Sequence, residues 1–349
     1  MPAAGTAARP AVRTRTSCDD AHDEGTTMTT PPTGHQHELR LEADGRVVTA
    51  TVTEVAAGLR ALAVDGEALT ETFAGHETPP SACGITLFPW PNRVDGGRWT
   101  LDGRELQLDL TEPAKGNASH GLLRYTAYRA VDVEPHAVTL AATVFPQHGW
   151  PFTLETTVRH ELVADGMRVV HTVSNVGAAR APFAVGSHPF LRVGEHDPAT
   201  LTIALEAATR YEVSERGIPT GTSPVAGTSA DLRGGPRLGD LDLDTPSRDV
   251  QPGADGVRRT MLTAPDGTAT ELWQDEAFPY VQVFTPRNFP RAGVEGLAVA
   301  VEPMTAPPNA LATGEGLVWL EPGETWTAAW GIRRVAAGTA GGSGGSAQA

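Results

Sequence analysis

Short runs of alternating apolar and polar residues, separated by turns, fill most of the chain. "ELRLEADGRVVTATVTEV" contains two such runs joined at Asp44-Gly45, and "GGRWTLDGRELQLDL" repeats the arrangement around Asp102-Gly103. Asp-Gly between alternating runs is a strong hairpin signal because both residues accept the positive φ angles of a tight turn. We therefore expect a β-hairpin at each of these two positions.

The same pattern continues almost to the end of the chain. "AVTLAATVF", "YVQVFTP" and "TWTAAWGIRRV" all alternate, whereas helical periods of ten or more residues are hard to find. Many short strands with Gly and Pro turns favour an all-β sandwich or barrel. There is no linker-like break and no repeat of fixed period, which disfavours a propeller. We predict one large β domain over residues 36–336.

The two ends of the chain have a different composition. Residues 1–35 are rich in Ala, Thr, Pro and Gly and have no periodicity, and residues 337–349 are dominated by Gly, Ser and Ala. Such segments contain too few apolar residues to form a core, so we predict a disordered N-terminal tail and a flexible C-terminal tail. Met28 is an alternative start, since the sequence after it leads directly into the first strand pattern.

The charge balance restricts the kinds of partner. The chain has 42 acidic and 27 basic residues, a formal net charge of −15, which argues against nucleic acid and against an anionic membrane surface. A neutral small molecule is compatible with this charge. No signal peptide and no run of 18 apolar residues is found, so we expect a soluble, cytoplasmic protein.

The cysteines are few. Cys18 lies in the predicted N-terminal tail, and the second, Cys83, fits a small buried residue. Two cysteines so placed exclude a Cys-based zinc site and make a structural disulfide improbable. Nucleotide-binding glycine motifs, a GxSxG elbow and HExxH-type metal spacing are also missing from the sequence.

Four stretches differ from the alternating strands and carry candidate chemistry. They are "LFPWPNRVDGG" with Asn92 and Arg93, "GNASHGLLR" with His120, "GSHPFLRV" with His188, and "LAVAVEPMTAPPNAL" with Glu302. Each also has an ordinary interpretation. Arg93 fits a surface arginine, His120 a loop histidine, His188 a satisfied core histidine and Glu302 a solvated strand end or an ion pair.

Two of these residues have unusual sequence neighbours. Glu302 follows the continuously apolar run 297–301, typical of a strand buried on both faces, where desolvation should raise the pKa of a carboxyl group. His188 stands between Gly186, which permits close backbone approach, and Pro189, which restricts the backbone before it. A rigidly held histidine and a carboxyl group of raised pKa are suited to acid–base chemistry.

The four stretches, in this order on an all-β chain, resemble the aldose 1-epimerases, the galactose mutarotases and their relatives. The motifs that carry the resemblance read "PWPNRV", "ASHGLL", "GSHPFL" and "VAVEPM", and they span the whole predicted domain. The resemblance implies a large antiparallel β-sandwich of the galactose mutarotase-like (supersandwich) type with a sugar cleft. It also implies interconversion of the α and β anomers of a free aldohexose, without cofactor or metal.

The resemblance assigns roles to individual residues. Glu302 would be the general base at the anomeric hydroxyl, and His188 the general acid at the ring oxygen. His120 would hydrogen-bond the sugar near the ring oxygen or C1 and assist the charge change. Arg93 and Asn92 would bind sugar hydroxyls. The family also uses an aspartate, for which Asp244 and Asp275 are competing candidates. A histidine with a pKa near or above 7 beside a carboxyl group near 6 would satisfy the acid–base requirement.

Several alternatives stay open. "GSHPFL" has Phe-Leu where many members have Tyr-Phe, so Phe190 fits either a residue of the local core or a ligand contact. A hexose-6-phosphate 1-epimerase of the same superfamily would need additional cationic residues. A non-catalytic carbohydrate-binding protein would use the same fold without needing both Glu302 and His188. We expect a monomer or weak dimer.

Overall fold

The computed structural model describes residues 30–291 and 293–336, and this part of the chain is built almost entirely from strands. The predictions for Cys18, for Met28 and for most of both tails lie outside these residues. In chain order, the first strands are β1 (Gln36–Ala43), β2 (Arg46–Thr53), β3 (Gly58–Val64), β4 (Glu67–Ala68), β5 (Thr86–Leu87), β6 (Arg93–Asp95), β7 (Arg98–Leu101), β8 (Arg104–Gln107) and β9 (Asn117–Ser119).

The middle and last parts of the chain continue in the same way. The next strands are β10 (Arg129–Glu134), β11 (Ala137–Val144), β12 (Leu154–Val163), β13 (Gly166–Asn175), β14 (Ala181–Phe183), β15 (Gly186–Ser187), β16 (Phe190–Leu191), β17 (Thr202–Leu205), β18 (Ala207–Val213) and β19 (Pro219–Pro224). They are followed by β20 (Asp244–Val250), β21 (Arg258–Thr263), β22 (Ala269–Gln274), β23 (Tyr280–Phe284), β24 (Phe289–Arg291), β25 (Val294–Gly296), β26 (Val299–Met304), β27 (Val318–Leu320) and β28 (Thr325–Val335).

Within residues 30–291 and 293–336, helical structure is limited to short single turns. The α-helix α1 spans Ala310–Thr313, and short 3₁₀ turns occupy Pro80–Ala82, Pro198–Thr200 and Leu238–Asp240. No helix in the described part of the chain has the length and apolar character that crossing a lipid bilayer requires.

Two large antiparallel sheets form the body of the fold. One has the strand order β10-β11-β12-β13-β28-β22-β21-β17, and the other has the order β19-β18-β20-β23-β26-β15-β5, with β16 also paired to β26. A single apolar cluster contains Val158 and Val169 of the first sheet together with Val283 and Val301 of the second. The two sheets therefore share one core, and the predicted all-β sandwich is confirmed.

The predicted hairpins are present. Strands β1 and β2 pair from Gln36 to Ala43, and the turn residue Asp44 has a φ of 52°. Strands β7 and β8 pair around Asp102, whose φ is 49°. Each Asp is followed by a glycine that also has positive φ, as a two-residue hairpin turn requires.

Strand β26 positions the catalytic candidate on the second sheet. All six of its residues are buried, as the apolar run before Glu302 predicts. It pairs with β23 on one side and with β15 and β16 on the other. Glu302 therefore stands inside the sheet rather than at an edge.

Candidate active site

A cavity of about 430 Å³ collects most of the polar residues that the sequence analysis selected. Six of those residues line it: Asn92, Arg93, His120, His188, Asp244 and Glu302. They come from five separate parts of the chain, so the strand topology and not sequence proximity brings them together.

Glu302 is held in the sheet with its carboxyl group at the cavity wall. Its backbone is opposite Gln282 of β23, and its side chain is only 3% exposed. One carboxyl oxygen, Oε2, is buried without a hydrogen-bond partner among the described residues. Burial raises the pKa of Glu302 well above its usual range, Asp244 raises it further, and Arg93 opposes the shift.

His188 is fixed by its backbone and by one aromatic neighbour. It lies between β15 and β16, where its N–H donates to the carbonyl of Ile85 (3.0 Å) and its own carbonyl accepts from the N–H of Gly84 (2.8 Å). Its ring stacks on Phe190 with centroids 5.4 Å apart and an interplanar angle of 25°. The ring thus has little freedom to turn away from the cavity.

Packing explains why a glycine stands at position 186. A Cβ at this position would lie 2.8 Å from Cβ of Pro91 and 3.3 Å from side-chain atoms of Leu87 and Met304. Gly186 is therefore the residue that lets β15 approach its neighbours, as the sequence pattern indicated.

His188 and Glu302 face each other directly. Nε2 of His188 lies 3.3 Å from Oε1 of Glu302, and both side chains are buried. The pKa of His188 is lowered to about 4, chiefly by burial and in addition by the guanidinium groups of Arg124 and Arg93. The expectation of a histidine pKa near or above 7 is therefore wrong, because desolvation and two neighbouring guanidinium groups disfavour the charged imidazole. Burial therefore favours the neutral form of both groups in the pair without substrate, an imidazole beside a protonated carboxyl group.

His120 lies beside this pair, in a neighbouring loop. It follows β9 in a left-handed conformation (φ 61°), and its N–H donates to the carbonyl of Asn92 (2.8 Å). Its ring meets that of His188 edge to face, with centroids 5.5 Å apart. Burial lowers the pKa of His120 well below its usual range, and the neighbouring His188, Arg124 and Arg93 act in the same direction. His120 is thus favoured as a neutral imidazole.

A second group of residues forms a polar chain beside the pair. The side-chain amide of Asn92 donates to Gln282 (3.3 Å), whose amide in turn donates to Asp244 (2.6 Å). Arg93 donates to both carboxyl oxygens of Glu112, at 2.8 and 3.1 Å, and lies 3.9 Å from Asp244. These contacts fix the orientation of donors and acceptors that a hydroxyl-rich ligand would meet.

The aspartate candidates are separated by the tertiary structure. Asp244 begins β20 and lines the cavity. Asp275 lies between β22 and β23 and is not among the cavity residues, and its carboxyl group accepts from the N–H groups of Ala277 (3.0 Å) and Ala329 (2.6 Å). Asp275 therefore holds a turn, and of the two candidates it is Asp244 that lines the cavity.

Sequence reasoning missed several residues of the cavity. Glu112, Arg124 and Tyr125 line it, and Gln282 lies behind Asp244. Gln282 occupies the middle of an ordinary alternating strand, and Glu112 lies in a loop rich in charged residues, so neither had a local signal. Arg124 and Tyr125 follow the "ASHG" motif by a few residues. Their closeness to His120 in the sequence was the one signal that could have placed them in the site.

The chemistry of this site is that of an acid–base pair inside a polar pocket. Buried polar atoms of Asn92 (Oδ1), His120 (Nδ1), His188 (Nδ1) and Glu302 (Oε2) have no partner among the described residues. Within residues 30–291 and 293–336, no group of three or more His, Cys, Asp and Glu side chains is arranged to hold a metal ion. The available atoms suit hydrogen bonds to a neutral ligand with several hydroxyl groups.

Comparison with known sequences identifies relatives of this chain. The sequence model described as aldose 1-epimerase matches residues 13–333. The uncharacterized protein YihR of Escherichia coli K12 is 31% identical over 276 residues, which are 79% of this chain and 86% of YihR. A second uncharacterized protein of the same strain, YphB, is 29% identical over 104 residues, 30% of this chain and 35% of YphB.

Solved structures share the fold at low sequence identity. A putative aldose 1-epimerase from E. coli K12 superposes with a TM-score of 0.72 at 19% identity, covering 86% of this chain and 99% of that one. A GalM/aldose epimerase homologue from Caenorhabditis elegans gives 0.74 at 17% identity, with 86% and 99% covered. A galactose 1-epimerase from Lactobacillus acidophilus NCFM gives 0.67 at 19% identity, with 86% and 98% covered.

Proposed function

The chain belongs to the aldose 1-epimerase family, and from that premise we propose that it is a mutarotase that interconverts the α and β anomers of a free aldohexose such as glucose or galactose. The family acts on sugars by epimerisation. The observation that carries the finer proposal is the buried contact of 3.3 Å between His188 and Glu302, which line the same polar cavity.

The contact explains how a neutral pair can act as base and acid together. Burial favours the proton on Glu302 and a neutral His188. Transfer of that proton from Oε1 to Nε2 across 3.3 Å produces a carboxylate base and an imidazolium acid at the same time. The pair needs no exchange with solvent for this step, and the hydroxyl groups of a bound sugar stabilise the separated charges.

The reaction then consists of two proton transfers and one bond cleavage. Glu302 takes the proton of the anomeric hydroxyl, the bond between C1 and the ring oxygen breaks, and His188 gives its proton to that oxygen. Rotation about C1–C2 presents the other face of the aldehyde, and the reverse transfers close the ring. After ring opening the pair holds one proton on Glu302 and none on His188, and ring closure returns it to the carboxylate and imidazolium from which opening began.

The remaining polar residues bind and orient the sugar. His120 contacts the ring of His188 edge to face, which places it to hydrogen-bond near the ring oxygen or C1. Arg93, Asp244 and Asn92 offer donors and acceptors for the other hydroxyl groups. Each is itself held by a neighbour, so that the site is ordered before the sugar binds.

A hexose-6-phosphate is the second candidate substrate, and one arginine favours it. Arg124 lines the cavity, and among the described residues its contacts are the carbonyl of Ser119 (3.3 Å) and the ring of Tyr125, without a carboxylate. A guanidinium group so placed could receive a phosphate. Arg93 is less available, because Glu112 already accepts two of its hydrogen bonds.

Polarimetry tests the proposal and ranks the candidates. Freshly dissolved α-glucose, α-galactose and glucose-6-phosphate would be followed with the wild type, Glu302→Gln and His188→Asn. We expect acceleration of a free sugar by the wild type and a loss of about 10²- to 10⁴-fold in either variant, the usual contribution of a general acid or base. Saturation by glucose-6-phosphate but not by glucose would replace the first candidate by the second.

The third possibility, a carbohydrate-binding protein without catalysis, predicts a different set of results. In that case calorimetry would detect sugar binding, no mutarotation would be accelerated, and Glu302→Gln would leave the affinity unchanged. The raised pKa of Glu302 argues for a chemical role, since a simple hydroxyl acceptor gains nothing from a strongly desolvated carboxyl group.

A further inference from the structure

Arg216 lies in the turn between β18 and β19, is not among the residues that line the cavity, and is bonded to two other segments of the chain. Its Nε and Nη2 donate to the carbonyls of Lys115 (2.8 Å) and Gly116 (3.0 Å), and Nη2 also donates to Oδ1 of Asn117 (2.9 Å). Its Nη1 lies 2.7 Å from Oδ1 of Asp95. The side-chain amide of Asn117 donates in return to the carbonyl of Arg216 (2.8 Å). All three guanidinium nitrogens therefore have partners, and the turn is tied both to β6 and to the loop before β9.

The two segments that Arg216 connects are the ones that hold Arg93. Asp95 follows Arg93 by two residues on β6, where it pairs with Asn117 of β9. Glu112, in the loop before β9, exchanges backbone hydrogen bonds with Asn117 (3.0 and 3.2 Å). The carboxyl oxygens of Glu112 accept the two hydrogen bonds from Arg93. Arg216 therefore fastens the loop that carries Glu112 to the strand that carries Arg93.

The residue after Arg216 covers the guanidinium group of Arg93. A Cβ at Gly217 would lie 2.8 Å from Nη1 of Arg93, and the φ of Gly217 is 73°. The turn is closed by Ser214, whose carbonyl accepts from the N–H of Gly217 (2.8 Å) and whose N–H donates to the carbonyl of Ile218 (2.9 Å). Only a glycine permits this close approach, and 14% of the Arg93 side chain stays exposed.

We propose that Arg216 is a positioning residue for sugar binding, which from outside the cavity fixes the pair of Arg93 and Glu112 in the orientation that meets the sugar. Ion pairing of an arginine side chain that is 47% exposed contributes little to stability by itself. The planar guanidinium fork is instead suited to joining carbonyls of one segment to a carboxylate of another. An Arg93 held in advance loses less freedom when a ligand binds. The proposal rests on the proposed function, in which Arg93 binds sugar hydroxyls.

Kinetics of Arg216→Met, which removes the donors and keeps a long side chain, test the proposal. We expect the KM for the accelerated sugar to rise about 10-fold, the equivalent of one hydrogen bond to a charged group, and kcat to stay within about 2-fold, because the acid–base pair is not touched. Arg216→Lys keeps the charge without the fork and should recover part of the loss. Arg210→Met is the matched control, since Arg210 of β18 donates to Ser223 (3.2 Å) and Glu212 (2.7 Å) of its own hairpin. It should leave KM unchanged.

Gly217→Ala tests the contact with Arg93 while the side chain of Arg216 is unchanged. The new methyl group would displace the guanidinium group of Arg93, so we expect KM to rise here too. Gly227→Ala is the control, because Gly227 has a similar φ of 76° and nothing within 4 Å of its Cβ position. It should lower stability to a similar extent without raising KM.

Hydrogen exchange followed by mass spectrometry decides the positioning without any sugar. Exchange over residues 112–117 should be faster in Arg216→Met than in the wild type and unchanged in Arg210→Met. If the wild type accelerates no sugar, the proposed function fails, and this measurement still decides whether Arg216 orders the loop of Glu112. Unchanged exchange or an unchanged KM in Arg216→Met would overturn the proposal, as would an equal rise of KM in Arg210→Met.

Discussion

Nε2 of His188 lies 3.3 Å from Oε1 of Glu302, although the two residues are 114 positions apart in the chain, and both side chains are buried. Desolvation moves their pKa values in opposite directions, lowering that of His188 to about 4 and raising that of Glu302. The pair therefore holds one proton over a wide range of pH.

The width of this range predicts the pH profile of mutarotation. In the proposed mechanism the pair needs one proton, and a second one is added only as the pH falls to the lowered pKa of His188, about 4. We expect kcat/KM to decline on the acid side near pH 4, and on the alkaline side at the raised pKa of Glu302. Initial rates would be measured with spontaneous mutarotation subtracted and with circular dichroism as a check of folding at each pH. An acid decline near pH 7 would contradict this assignment.

Glu302 also predicts how stability depends on pH. Between its ordinary pKa of 4.5 and its raised folded value, the folded state keeps a proton that the unfolded state has lost. The free energy of unfolding therefore falls as pH rises through that window, by up to about 1.4 kcal/mol for each pH unit. Glu302→Gln should remove this decline, as measured by urea unfolding at several pH values. The exposed Glu42→Gln serves as the control, and parallel curves for the wild type and Glu302→Gln would refute the prediction.

Gln282 is predicted to act on binding more than on chemistry. It joins Asn92 to Asp244, and its replacement by leucine leaves both without this partner. We expect Gln282→Leu to raise the KM for sugar about 10-fold with a smaller change in kcat, and to lower stability by about 1–3 kcal/mol. Gln274→Leu is a matched control, since Gln274 is equally buried but is hydrogen-bonded to the carbonyls of Phe278 and Tyr280. It should lower stability without raising KM; an unchanged KM in Gln282→Leu would exclude the positioning role.

Gly121, next to His120, is predicted to be intolerant of any side chain. A Cβ there would lie 2.1 Å from the carbonyl oxygen of Phe88, and the φ of Gly121 is 77°. Gly45 has a similar φ of 72° with nothing within 4 Å, so Gly45→Ala isolates the conformational part, about 1 kcal/mol. We expect Gly121→Ala to lower the free energy of unfolding by several kcal/mol more than Gly45→Ala does, because backbone atoms must move. It should also reduce activity, because His120 is the residue directly before it. Thermal unfolding and polarimetry of both variants would check this, and equal losses would show that the close contact has no effect.

The sequence by itself determined the fold class and the candidates for the reactive groups. Alternating runs and Asp-Gly turns are local signals, because strand periodicity and hairpin φ angles depend on neighbouring residues only. The apolar run before Glu302 likewise predicted a buried strand and a carboxyl group of raised pKa. The motif order then indicated that Glu302 and His188 work together.

Only the tertiary structure decided which groups meet and in what protonation state. Asp244 and Asp275 are equivalent as local sequence, and strand β20 carries one to the cavity while a turn uses the other. The pKa of His188 was misjudged because desolvation depends on atoms packed from distant strands. Gln282 and Tyr125 likewise reach the site only through the tertiary fold. The separation of two residues along the chain does not give their distance across a β-sandwich.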